Sequence, residues 1–121
     1  MKYFYSFANT TLGKFIIRIL FTTMSFLIPV KRLRETETLL AFQHPKPSYP
    51  VHILLMPKLD IPNFQALDAD NPAFMADVVK TAQSLVEEFG LAEKGYRLIV
   101  NGGEYQDFPH LHFHLVSESR E

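Results

Sequence analysis

The sequence predicts an α+β fold: an antiparallel sheet with one long helix packed on it, plus an additional amphipathic helix at the N-terminus. Short apolar runs bounded by proline and glycine recur between residues 38 and 116, and one longer row of apolar residues at helical spacing interrupts them. The last two strand-like runs are joined by a short glycine-containing loop, a connection that suits antiparallel neighbours. At 121 residues, with 47% hydrophobic and 13% aromatic side chains, the chain fits one domain with a packed core. It contains no cysteine, which excludes a disulfide framework, a thiolate nucleophile and a cysteine-built zinc site.

From Leu12 to Ile28 apolar residues dominate, while Thr11, Lys14, Arg18, Thr22 and Ser25 recur at spacings of three and four, one narrow polar stripe on a helix. Pro29 ends or kinks the segment. Three readings stay open for this stretch: a helix packed on the body or on a second subunit, an in-plane helix on a membrane surface through residues 12–28, or a spanning or targeting segment. Charge divides the chain nearby. Residues 1–34 carry Lys2, Lys14, Arg18, Lys31, Arg32 and Arg34 and no acid, whereas all 13 acidic residues lie in 35–121, giving a net charge of −1. The boundaries that follow are a basic amphipathic helical extension over 1–34 and the folded body over 35–121. A basic head on an acidic body suits an anionic surface or a partner, and no duplex nucleic acid is expected.

Within the body, Thr38-Leu39-Leu40-Ala41-Phe42 reads as a strand, followed by a loop through Pro45, Pro47 and Pro50. Val51-His52-Ile53-Leu54-Leu55-Met56 is a second strand that stops at Pro57. Asn71-Pro72 has the form of an N-cap followed by proline at the first helical position. Met75, Val78, Val79, Ala82, Leu85, Val86 and Phe89 then mark the core face of the long helix, and Gly90 stands where a C-terminal glycine cap belongs. Tyr96-Arg97-Leu98-Ile99-Val100 reads as a third core strand before the turn Asn101-Gly102-Gly103.

The last run, His110-Leu111-His112-Phe113-His114-Leu115-Val116, holds three of the five histidines at alternate positions. In an extended strand the three imidazoles share one face, while Leu111, Phe113 and Leu115 line the other. Such a row can supply nucleophile, acid–base group and hydrogen-bond orienter near neutral pH. It can equally be a set of partnered structural histidines, or ligands of zinc or iron, and the row by itself leaves these readings open. No glycine-rich nucleotide loop of the Rossmann or P-loop kind is present.

The chain resembles the histidine triad (HIT) family, whose hallmark is three histidines alternating with apolar residues. His110-Leu111-His112-Phe113-His114-Leu115-Val116 fits that pattern, and Leu39-Leu40-Ala41-Phe42, Pro47, Pro50, His52, Met56-Pro57-Lys58 and Gly95-Tyr96-Arg97-Leu98-Ile99-Val100-Asn101 follow its order and spacing. The resemblance covers roughly residues 36–116, so 35–121 is expected to be a HIT-like domain. It implies an enzyme: a nucleotide-binding hydrolase or nucleotidyl transferase that acts at the α-phosphate of a nucleoside phosphoramidate or a (di)nucleoside polyphosphate. His112 is then the nucleophile forming a covalent nucleotidyl-histidine, His110 and His52 orient its ring, and His114 contacts the phosphate or assists the leaving group. Asn101 and Gln106 fall where the family contacts substrate phosphate or sugar. His44 stands where many members grip the ribose hydroxyls with an acid, and an imidazole cannot accept both hydroxyls as a carboxylate can. Asp107 takes the place of a phosphate-contacting serine. The resemblance further implies a homodimer, and no metal or cofactor is required. The alternative is a nucleotide-binding module with little catalysis, positioned on a membrane surface or partner by its N-terminal helix. The expected location is cytoplasmic, or peripheral to a membrane if that helix lies on one.

Overall fold

A computed structural model describes residues 31–119; the expected N-terminal helix lies outside them. Five strands form one sheet in the order β1-β2-β3-β5-β4: β1 (Arg32–Glu35), β2 (Leu39–Gln43), β3 (Val51–Pro57), β4 (Arg97–Val100) and β5 (Phe113–Ser117). Every pairing is antiparallel. The long helix α1 (Ala73–Glu88) and the short α2 (Leu91–Lys94) come between β3 and β4. Among the described residues no helix is long and apolar enough to cross a membrane.

The core is the shared face of α1 and the sheet. Leu39 and Ala41 of β2, Val51, Ile53 and Leu55 of β3, and Leu111, Phe113 and Leu115 meet Phe74, Val78, Ala82 and Leu85 of the helix. Alternation along the strands puts these residues on one side. It therefore assigns His52 and His114 to the other. A slip of one residue would drive imidazoles into this core, at about 2–7 kcal/mol for each polar group left without a partner.

The helix differs in detail from its periodic reading. Phe74 and Thr81 are buried, whereas Val79 is 49% exposed. The apolar face is rotated toward Phe74, and Val79 falls outside it. The first helical bond runs from the Ala76 N–H to the Pro72 carbonyl at 2.9 Å, so Pro72 itself takes the capping position, one residue later than expected. Gly90 does end the helix, in the left-handed conformation (φ 65°) that glycine adopts without a Cβ penalty.

Two departures concern the edges of the sheet. β1 spans the expected boundary at residue 34 and pairs with β2, with Arg32 opposite Phe42 and Arg34 opposite Ala41, so Leu33 forms a bulge. Its charges are tied to neighbours: Arg34 reaches Ser84 and, at 2.6 Å, Glu88, while Lys58 meets Glu35 at 2.7 Å. Thr36 and Thr38 hydroxyls donate to Asp77, clamping the β1–β2 turn to α1. β4, expected as a core strand, is instead the opposite edge strand. Its partner is β5, and it leaves Leu98 42% exposed.

Candidate active site

The register of β3 against β5 builds the first half of the site. Leu54 lies opposite His114 and His52 opposite Val116, so His52 and His114 are diagonal neighbours on the face away from α1. Their rings meet, with His52 Nε2 and His114 Nδ1 2.9 Å apart. Which nitrogen carries each proton follows from the backbone. The Ser48 N–H donates to His52 Nδ1 at 3.0 Å, which puts the proton of neutral His52 on Nε2, where it donates to His114 Nδ1. The proton of His114 is then on Nε2. That nitrogen is buried and has no hydrogen-bond partner among the described residues.

Both rings are held neutral. Burial, then the charges of His44 and His112, push His52 down to about 4. Burial, followed by repulsion from the other three imidazoles, likewise pushes His114 down to about 4, against the opposing charge of Asp107.

His112 is fixed by other means. β5 begins at Phe113, so His110, Leu111 and His112 precede the strand although their alternation continues it. This segment is pinned through His110 Nε2, which donates to the Pro57 carbonyl at 3.0 Å, and through the Leu111 N–H, which donates to the Ile61 carbonyl at 2.8 Å. His112 Nδ1 donates to the His110 carbonyl at 2.7 Å, because a carbonyl only accepts, and the lone pair is left on Nε2. The ring is buried, with Phe108 edge-on at 6.1 Å between centroids and His114 edge-on at 4.9 Å. The expected hold on the central ring is thus made differently. The main chain of His110, not its imidazole, orients His112, and His52 orients His114.

The remaining candidates divide. His44 joins the cluster, its ring 4.4 Å from that of His52 and 6.3 Å from that of His114. Its Nδ1 accepts the Lys46 N–H at 2.9 Å, and burial lowers its pKa, so the neutral ring offers one Nε2–H donor. Asp107 is 70% exposed and places Oδ1 3.8 Å from His112 Nε2. Gln106 also braces its own loop. Its amide donates to the carbonyls of Pro62 at 2.8 Å and Phe108 at 2.9 Å, so both hydrogens hold the loop and only the carbonyl oxygen remains to offer a ligand. Asn101 is half-buried just past β4, and no hydrogen bond described for it reaches the imidazoles.

Sequence reasoning missed the Ser48 N–H and the carbonyls of His110 and Pro57, main-chain groups with no residue-type signal. Among the described residues no group of three histidines or acids is disposed to hold a metal ion. The facing nitrogens of His52 and His114 are spent on each other. The arrangement sets the lone pair of His112 Nε2 beside the His114 ring, whose buried N–H has no partner among the described residues, with the exposed Asp107 carboxylate nearby.

Comparison with known proteins gives a consistent result. The HIT domain model matches residues 26–121. A HIT-like protein of Chlamydia pneumoniae is 40% identical over 92 residues, 74% of this chain and 83% of that protein. The purine nucleoside phosphoramidase of Escherichia coli (strain K12) is 32% identical over 91 residues, covering 74% of this chain and 76% of its own. Among solved structures, a HIT family hydrolase from Legionella pneumophila Philadelphia 1 superposes with a TM-score of 0.75 at 29% identity, covering 84% of this chain and 93% of that one.

Proposed function

The chain belongs to the HIT family, and from that premise we propose that it is a nucleotide hydrolase or nucleotidyl transferase using covalent catalysis at His112. The observation that carries this reading is the state of two nitrogens: His112 Nε2 keeps its lone pair because Nδ1 donates to the His110 carbonyl, and the neighbouring His114 ring carries a buried Nε2–H with no partner among the described residues. A nucleophile and a donor for the phosphoryl oxygen are thereby set side by side.

In the proposed reaction Nε2 attacks the α-phosphorus, the bond to the leaving group breaks, and its electron pair departs with that group. The positive charge arriving on the His112 ring is met by the Nδ1–H···O=C bond to His110. The His114 Nε2–H donates to a phosphoryl oxygen, an interaction that strengthens as charge develops and is typically worth about 10²–10³ in rate. Water then attacks the phosphorus, the Nε2–P bond breaks, and the nucleoside monophosphate leaves. His44 contributes one donor toward the sugar. The phosphoramidase activity carried in the name of the E. coli relative supports a nucleoside phosphoramidate as one substrate class.

Rapid-quench mass spectrometry with phosphoramidates and dinucleoside polyphosphates should find a nucleotidyl group on His112, and His112→Ala should lower kcat by at least about 10³-fold with the fold intact. Undiminished turnover by that variant would sink the nucleophile assignment. Calorimetric binding of a nucleoside monophosphate without turnover of any substrate in the panel would leave the binding module instead. In that reading residues 12–28 position the protein on a membrane surface, and failure of the full-length chain to pellet with anionic liposomes removes that part.

The two edges of the sheet support a homodimer. β1 carries a bulge and paired charges, devices that blunt an edge strand. β4 leaves Leu98 exposed, and Leu98 borders an apolar groove with Val79, Ala82, Val86, Ala92 and Tyr96. We place a second copy of the chain on this groove. Light scattering should give twice the chain mass at micromolar concentration and one chain mass for Leu98→Asp; a monomeric wild type removes the dimer.

A further inference from the structure

Asp107 sets a negative charge beside the attacking nitrogen, and we infer that it is a specificity-determining residue that filters substrates by the charge of their leaving group. The inference rests on the covalent reading above and narrows it. Oδ1 lies 3.8 Å from the nitrogen whose lone pair attacks, and the side chain is 70% exposed, free to face an incoming ligand. Among the described residues, the charges that shift His44 and His114 are those of other imidazoles and of Asp107. The imidazoles of His52 and His114 are held neutral, so they do not offset the carboxylate.

A leaving group expelled from phosphorus by Nε2 departs on the side opposite the attack, but its substituents and the phosphoryl oxygens share the opening with Asp107. A dinucleoside polyphosphate brings several further negative charges to a site that already holds one. A phosphoramidate brings an amine. Protonated on its bridging nitrogen, it presents an N–H⁺ that the Asp107 carboxylate can accept, in a charge-assisted hydrogen bond. The step then balances without a proton from the protein. The Nε2–P bond forms, the P–N bond breaks, its electron pair returns to nitrogen, and the amine departs neutral with both hydrogens. The His112 ring becomes the cationic nucleotidyl-imidazolium, its Nδ1–H still on the His110 carbonyl.

The test compares adenosine 5′-phosphoramidate carrying an alkylamine with diadenosine tetraphosphate, as the ratio of their kcat/KM values in wild type, Asp107→Asn and Asp107→Glu. The filter predicts that Asp107→Asn lowers the ratio by at least about tenfold, with the tetraphosphate value rising and the phosphoramidate value falling. Asp107→Glu, which keeps the charge, should stay near the wild-type ratio. Added salt should raise tetraphosphate turnover in wild type and leave it flat in Asp107→Asn. If wild type turns over both substrates and the ratio is unchanged in Asp107→Asn, or both values fall together, the filter is overturned while the covalent mechanism stands. If wild type turns over neither substrate, the covalent reading fails and this one with it.

Discussion

The two halves of the site are made by different parts of the fold. His52 and His114 stand on paired strands, and their contact follows from the β3–β5 register, with a backbone N–H from Ser48 fixing both tautomers. His112 and Asp107 belong to the stretch that leads into β5, held by loop contacts to Pro57, Ile61 and Pro62. The difference teaches where conservative and variable chemistry can reside. The contact in the sheet half could not be re-registered without moving core residues on its other face, whereas the loop half can exchange one exposed side chain, and with it the charge that a substrate meets.

The sharpest way to break the comparison is at His114. If the register-built half supplies a donor to the phosphoryl oxygen, His114→Ala should lower kcat by about 10²-fold or more. His114→Gln should recover part of this, since its carboxamide N–H₂ can stand near the lost Nε2–H. Equal loss in both variants would show that the ring does something other than donate. Because His114 holds a half-buried position of β5, circular dichroism and thermal melts should confirm that neither loss is unfolding.

A second prediction uses the neutral state of the same rings. An unfolded histidine takes up a proton near pH 6.5, whereas His52 and His114 in the fold resist it down to about 4. Between those limits the unfolded chain holds more protons, so acidification favours unfolding: stability is full above pH 6.5, falls as pH drops, and levels off below about 4. Solvent reaches part of this cluster, which reduces the effect to about 1 kcal/mol per ring. Urea melts at pH 7 and pH 5 should show that fall, and His52→Gln should show less of it. An unchanged difference in the variant would mean that other groups carry the acid sensitivity.

Much of the sheet half was legible in the sequence because a period of two is visible residue by residue: Leu111, Phe113 and Leu115 went to the core as the alternation required. What the alternation does not carry is the offset between strands. His52 meets His114 rather than His112 because Leu54 pairs with His114, and nothing local to either strand states that pairing. β1 escaped notice because Arg32-Leu33-Arg34-Glu35 has a single apolar residue, and pairing with β2 rather than its own pattern makes it a strand. β4 has the pattern of a core strand because Leu98, Ile99 and Val100 are apolar, yet apolar residues at an edge look the same in sequence as those inside. In the loop, residue types identified Asp107 as chemically unusual, but the role of Gln106 depended on which carbonyls lay within reach.

Gln106 therefore gives the smallest effect and the finest test of the division between halves. Its side chain ties residue 106 to Pro62 on one side and Phe108 on the other, so Gln106→Ala frees the loop that carries Asp107 without touching an imidazole. Losing two such bonds should cost about 1–2 kcal/mol and lower Tm by roughly 3–8 °C. The kinetic effect should be confined to the loop's share of the work: a few-fold rise in KM and a smaller preference between amine and phosphate leaving groups, with kcat for the preferred substrate nearly unchanged. A fall in kcat comparable to that of His114→Ala would mean that the loop also sets the geometry of the nucleophile. In that event the separation would be false, since the His110 carbonyl that orients His112 would itself depend on Gln106 holding Phe108 in place, two residues earlier in the chain.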